Sequence, residues 1–168
     1  MTTYKSIRGL TVQSVTTDPE VYANSWSSGG ALNTARNRAA SVGSVPASLA
    51  FGGTPPVTDA VELYNGTSWT ETTEINTARF GLAGAGTTTA AIGFGGGTPS
   101  TTAINESWNG SSWTEVADMA TGRYTHGSSS NGTTKAGLCI MGNTGTYITN
   151  TEEWTVPEAL KTIASTNA

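Results

Sequence analysis

Thr34-Ala35-Arg36 returns as Thr77-Ala78-Arg79 and again as Thr121-Gly122-Arg123, at offsets of 43 and 44 residues. A fixed period in this range means that one supersecondary unit has been copied, and that each copy needs a neighbour to bury its apolar face. Whatever the chain does must be carried by stacked copies of that unit.

The unit is legible beyond the triplet. A run of small residues follows, then an apolar strand ending in glycine, which aligns Leu49-Ala50-Phe51-Gly52-Gly53 with Ile92-Gly93-Phe94-Gly95-Gly96 and Cys139-Ile140-Met141-Gly142-Asn143. A Thr/Pro-rich stretch leads into Glu62-Leu63-Tyr64, Glu106-Ser107-Trp108 and Glu152-Glu153-Trp154. The first two copies continue as Asn65-Gly66-Thr67-Ser68-Trp69-Thr70-Glu71 and Asn109-Gly110-Ser111-Ser112-Trp113-Thr114-Glu115. Asn-Gly between β-forming residues predicts a two-residue hairpin.

In the third copy Trp154 runs into Thr155-Val156-Pro157 and no hairpin partner follows. Its counterpart stands at the other end of the chain, where Glu20-Val21-Tyr22-Ala23-Asn24-Ser25-Trp26 matches the Glu-x-Tyr…Trp element. Trp26 precedes Arg36 by ten residues, as Trp69 precedes Arg79 and Trp113 precedes Arg123. The frame is circularly shifted, so an N-terminal strand is expected to complete the last repeat and cover its edge, within the chain or in a neighbour.

Composition agrees with a β fold. Charged residues make up 12% of the 168, about half the usual share, and Thr, Ser, Asn and Gly replace them. The net charge is −4 and the eight basic residues are scattered, so no cationic stripe is available to neutralise a run of phosphates and nucleic acid is not an expected partner. There is neither an apolar leader segment nor a run of about 18 apolar residues, so neither a signal peptide nor a membrane span is expected.

The order arginine, apolar strand, Gly-Gly, Glu-x-Tyr, Asn-Gly-x-x-Trp is similar to the kelch motif over residues 20–155. The Thr-Ala-Arg phase, the Phe-Gly-Gly strand end, the Tyr64–Glu71 run and the opening Met1–Gln13 resemble kelch-like arrays in structural and tail proteins of bacterial viruses, especially marine ones. That resemblance implies an all-β fold of propeller blades, three plus a partial N-terminal copy. Because propellers typically need four to eight blades, closure by homo-oligomerisation is expected. A single-chain pseudo-threefold trefoil or prism is the alternative. It also implies a virion protein made in the host cytoplasm, tail- or fibre-associated or capsid-decorating. Residues 1–19 are expected as an arm onto other virion proteins and residues 156–168 as a tail, with host-surface glycan as a candidate ligand. A cytoplasmic kelch-type protein-interaction module is the alternative function.

Arg36, Arg79 and Arg123 in one phase and Glu62, Glu106 and Glu152 in another predict a repeated hydrogen-bonded pair between strands or blades. The alternative for the arginines is a ring facing an anionic ligand. Trp26, Trp69 and Trp113 share a register that predicts packing between repeats with the indole N–H satisfied. Aromatics beside amides and hydroxyls would also suit a sugar surface. Candidate binding loops, expected on one face, carry Thr54, Pro55 and Asp59, then Thr98, Ser100 and Thr102, then Asn143 and Tyr147.

Little in the sequence points to catalysis, metal binding or a cofactor. His126 and Cys139 are the single histidine and cysteine, and they cannot dominate a zinc site. No acid or nucleophile matched to a triad lies near His126 in sequence, and the glycine runs lack the Gly-Lys-Ser/Thr of a phosphate loop. Cys139, in an apolar run, reads as a core residue. Carboxylates such as Asp59, Glu71, Glu74, Glu115 and Asp118 are the ones that would have to meet in a glycosidase.

Overall fold

The computed structural model describes residues 26–129 and 132–157. These hold eleven strands and no helix, arranged as three antiparallel sheets, none of which closes on itself. The first sheet is β1 (Ala40–Ser44), β2 (Ala47–Phe51), β3 (Val61–Tyr64) and β4 (Trp69–Thr72), adjacent in chain order. The second repeats it with β5 (Ala83–Gly86), β6 (Ala91–Phe94), β7 (Asn105–Trp108) and β8 (Trp113–Val116). The third has only β9 (Gly127–Ser128), β10 (Ala136–Asn143) and β11 (Tyr147–Thr155), with no fourth strand on β11 among the described residues. No helix among these residues is long and apolar enough to cross a membrane. The arm 1–19, the element Glu20–Ser25 and the tail beyond Pro157 lie outside the described residues.

The Asn-Gly hairpins differ from the two-residue turns expected. Tyr64 pairs with Trp69 and Trp108 with Trp113, so each connection has four residues. Asn65 Oδ1 accepts the Thr67 and Ser68 N–H groups at 2.9 and 3.0 Å, and Asn109 Oδ1 accepts those of Ser111 and Ser112 at 2.9 Å each. The asparagine side chain thus organises the turn, and glycine supplies the positive φ after it, 92° at Gly66 and 96° at Gly110.

The third repeat is also offset from its sequence alignment. Cys139 pairs with Glu152, as Gly93 pairs with Glu106 and Ala50 with Glu62. Ile140 is therefore the counterpart of Phe51 and Phe94, and Met141 that of Gly52 and Gly95. The backbone agrees, with φ of 53° at Met141 against 68° and 64° at the two glycines. A side chain has been accepted where the other copies use glycine, and the β10–β11 pairing is irregular there, between Ile140 and Gly142.

The sheets pack face to face, β1 on β5 and β5 on β9, with the second in the middle. One core joins Val42, Leu49, Phe51 and Val61 of the first sheet to Ile75, Leu82, Trp108 and Trp113. The other joins Ala85, Ile92 and Phe94 of the second sheet to Cys139, with Met119 and Trp154 alongside. Close approach dictates the small residues of the second sheet. A Cβ on Gly93 would lie 2.6 Å from Phe51 Cε2, and one on Gly84 2.7 Å from its Cζ.

Candidate functional site

The periodic charges meet in one construction built three times. Arg36 Nη1 lies 2.5 Å from Glu62 Oε1, Arg79 Nη2 lies 2.7 Å from Glu106 Oε1, and Arg123 Nη2 pairs with Glu152 Oε1. The arginine arrives on the segment entering a sheet and the glutamate stands on that sheet's third strand, so the pair ties the entry to its sheet. Arg79 also donates from Nη1 to the carbonyls of Gly95 (3.0 Å) and Ile104 (2.7 Å). Arg123 repeats this with those of Met141 and Asn150. The three arginine side chains are essentially without exposed surface, so none turns its guanidinium outward to an anionic ligand.

Asparagines complete the first two clamps, and the repeat reading had missed them. Asn33 donates its backbone N–H and its Nδ2 to Glu62 Oε2 at 2.7 and 2.9 Å, and the same Nδ2 reaches the Trp69 carbonyl on β4 at 3.3 Å. Asn76 does the same with Glu106 (2.8 and 2.6 Å) and the Trp113 carbonyl (3.2 Å). In the third clamp the position holds Ala120, whose backbone N–H alone reaches Glu152 Oε2 at 2.6 Å. The signal was present in the sequence: the motif is Asn-Thr-Ala-Arg, one residue longer than the triplet, and it lapses in the third copy.

Burial lowers the Arg79 pKa, and Glu106 opposes the shift. Charge pairing and hydrogen bonding make such burial tolerable, and of the Arg79 guanidinium nitrogens only Nε has no partner among the described residues. Arg36 is served less well, since Nε and Nη2 have no partner among the described residues.

The three tryptophans share a register and not an environment. Trp113 is buried, its ring 5.0 Å from that of Phe51 and 5.3 Å from that of Trp108, and its indole N–H has no partner among the described residues. Trp69 is half-buried, 4.9 Å from Tyr64, and its N–H donates to the Gly30 carbonyl at 3.1 Å. Trp26 is 104% exposed.

The proposed binding loops fall between the second and third strands of each sheet. In the first two, part of the loop serves the scaffold. Thr58 and Thr102 accept the Arg79 and Arg123 backbone N–H groups at 3.2 Å, and the Thr102 N–H returns to Gly96 O at 2.8 Å. Asp59 likewise accepts from Ile75 N at 3.1 Å through its carbonyl. Pro55, Ser100 and Thr98 are exposed and Thr54 is half-buried. The third loop is reduced to Thr144–Thr146. Asn143 bridges back to Tyr124, and Tyr147 opens β11 with 90% exposure.

A cleft of about 230 Å³ opens between the second and third sheets, lined by Phe94, Met119, Cys139 and Trp154, with Asp118 and Glu152 also contributing. Asp118 Oδ1 accepts the Asn105 N–H at 3.3 Å. Among the described residues, no group of three or more His, Cys, Asp or Glu side chains is arranged to hold a metal ion. Burial pushes the Cys139 thiol up to about 11, with Arg123 opposing and Glu152 adding to the shift. His126 stands just before β9 and stacks on Phe94 at 5.5 Å. Burial and the neighbouring Arg123 pull its pKa down to about 4, and an approach to the Phe94 backbone, too poor in geometry for a hydrogen bond, opposes them. It takes the position that Leu82 holds one repeat earlier.

No protein-family model and no curated protein matches the chain.

Proposed function

We propose that this chain is a structural protein of a bacterial virus particle, tail- or fibre-associated or decorating the capsid, whose kelch-like blades close into a ring by homo-oligomerisation. The resemblance of the Thr-Ala-Arg, Phe-Gly-Gly and Tyr-Asn-Gly-Thr-Ser-Trp elements to such proteins supports the viral setting. One structural observation carries the assembly. The first two sheets have four strands, and the third stops at a nine-residue strand with no outer neighbour among the described residues. A long open edge is a pairing template that proteins ordinarily cover.

The propeller reading is favoured over a trefoil or prism because each sheet is a meander drawn from one repeat, with no strand exchanged between repeats. The exposed loop residues Pro55, Ser100 and Tyr147 are the groups offered to host-surface glycan, and residues 1–19 are the arm toward other virion proteins. Mass spectrometry of purified virions, with imaging of the isolated protein, tests the reading. The chain is expected at high copy number and as a symmetric ring. Deleting residues 1–15 is expected to abolish incorporation while leaving the circular dichroism spectrum unchanged. Absence from purified particles would overturn the viral assignment.

A further inference from the structure

The aromatic slot of the second sheet has a counterpart in the third that no described residue fills. Trp113, first residue of β8, sits against Phe51 of the preceding sheet and Trp108 of its own, with Ile75 in the same core. One repeat later the matching positions are Phe94, Trp154 and Met119. All three line the cleft of about 230 Å³, a space on the scale of one large aromatic side chain. The Trp154 indole is otherwise set as Trp108 is, donating to Thr134 O at 2.9 Å where Trp108 donates to Thr88 O at 2.8 Å.

The missing fourth strand has a described candidate. Fourth strands start at the tryptophan, Trp69–Thr72 and Trp113–Val116, so their counterpart is Trp26–Gly29. These four residues are exposed and belong to no strand. The chain just after them already follows the route of a segment leaving a fourth strand. Gly30 abuts the β3–β4 turn of the first sheet, where an added Cβ would lie 2.3 Å from Thr67 O. Its counterpart Thr73, which leaves β4, donates from Oγ1 to Ser111 O in the β7–β8 turn at 2.9 Å. Trp26–Gly29 is therefore positioned as the last strand of a sheet preceding the first, and the second sheet separates the first from the chain's own third.

A second complementarity lies at the same two ends. The Thr125 N–H donates to Gly81 O and the Gly81 N–H to Arg38 O, both at 2.7 Å. All three residues have positive φ, at 50°, 64° and 53°. The series leaves the Arg38 N–H and the Thr125 carbonyl without backbone partners among the described residues. Leu138 and Ile140, on the outer face of the third sheet, are half-buried where Leu49, Ile92, Phe51 and Phe94 are buried. Ser41 and Ala50 of the first sheet, the first exposed and the second buried, are the paired small residues at the positions that Gly84 and Gly93 hold against Phe51.

We infer that a second copy of this chain docks head to tail, its Trp26–Gly29 pairing with β11 as the fourth strand of the third sheet and its Trp26 filling the cleft between Phe94 and Trp154. The register carried over from the other sheets pairs Trp154 with Trp26, Glu153 with Ser27, Glu152 with Ser28 and Thr151 with Gly29. The contact continues the packing already made twice inside the chain. It deepens the proposal of closure by homo-oligomerisation and rests on it.

Ser27 and Glu153 are both exposed, and residues directly opposite in an antiparallel pair have Cβ atoms about 5 Å apart, close enough for a disulfide after slight adjustment. Full-length Ser27→Cys and Glu153→Cys chains, co-expressed and oxidised, are expected to give a covalent dimer. Neither variant alone should do so, nor the wild type, whose one thiol is buried. Trp26→Ala should shift the sedimenting species to monomer with its circular dichroism spectrum unchanged, and Trp26→Phe should restore part of the association. A wild-type monomer would overturn both this contact and the closure reading. An oligomer without the mixed disulfide would overturn this contact alone. A disulfide formed within one chain carrying both cysteines would assign Trp26–Gly29 to its own third sheet and also sink the inference.

Discussion

Glu106 is a carboxylate without exposed surface, held by Arg79 and by both N–H donors of Asn76. Removing one member of such a group leaves the other charge buried and uncompensated, so Glu106→Ala should lower unfolding stability by about 3–5 kcal/mol in urea titrations. Glu152→Ala should cost less, because the Glu152 side chain is 22% exposed and water can reach it. His126 is a different case, a polar ring in a position that Leu82 fills elsewhere, with neither nitrogen partnered among the described residues. Its folded pKa of about 4 lies below the ordinary 6.5, so the unfolded chain takes up the proton first. The histidine's contribution is therefore whole above pH 6.5 and lost as pH falls toward 4, amounting to at most about 3 kcal/mol. His126→Leu should raise the thermal midpoint and flatten its pH dependence across that window. At this scale the sequence was most readable where a residue is rare: in a chain with so few charges, periodic Arg and Glu stand out. Asn33 and Asn76 did not, because asparagine is common here and reads as turn chemistry.

Strand order within the first two sheets was legible from the repeat, since strand, turn and strand follow one another without rearrangement. The third sheet was misaligned because Gly142 looked like the first strand-end glycine, when its place in the backbone is that of Gly53 and Gly96. Met141, at φ 53° and 53% exposed, carries the strain that follows. Met141→Gly should stabilise the third sheet by about 0.5–1 kcal/mol, the difference that positive φ makes for an L side chain less the entropy of glycine. The reverse change is costly where sheets touch. Gly93→Ala drives a methyl into Phe51 and should destabilise by about 1–3 kcal/mol, whereas adding a methyl at Gly145, with nothing within 4 Å, strains only its own φ. Denaturant midpoints of the two alanine variants separate packing from backbone strain. The loops were legible as loops, but not the use of Thr58 and Thr102 to receive the next arginine, because such backbone bonds leave no compositional trace.

At the largest scale the described residues form a three-sheet stack with unlike ends, one carrying the small residues Ser41 and Ala50 and the other Leu138 and Ile140. The ten-residue spacing from Trp26 to Arg36 is the basis in the sequence for expecting a shifted frame, whereas the cleft beside Phe94 and Trp154 needed coordinates, because it is formed by residues from two repeats. If copies complete one another, folding is linked to association, and the thermal midpoint should rise with protein concentration. A midpoint independent of concentration over two decades would count against closure by a second chain.

The lapse from Asn33 and Asn76 to Ala120 also sets an order of loosening. In the first two sheets an amide ties the entry segment to the carbonyl of the outermost strand, so that strand cannot leave without breaking a hydrogen bond from an asparagine that a buried glutamate holds in place. Among the described residues the third sheet has no such tether. Its backbone amides should be the first to exchange with deuterated solvent, and the middle sheet, packed on both faces, should hold its protons longest.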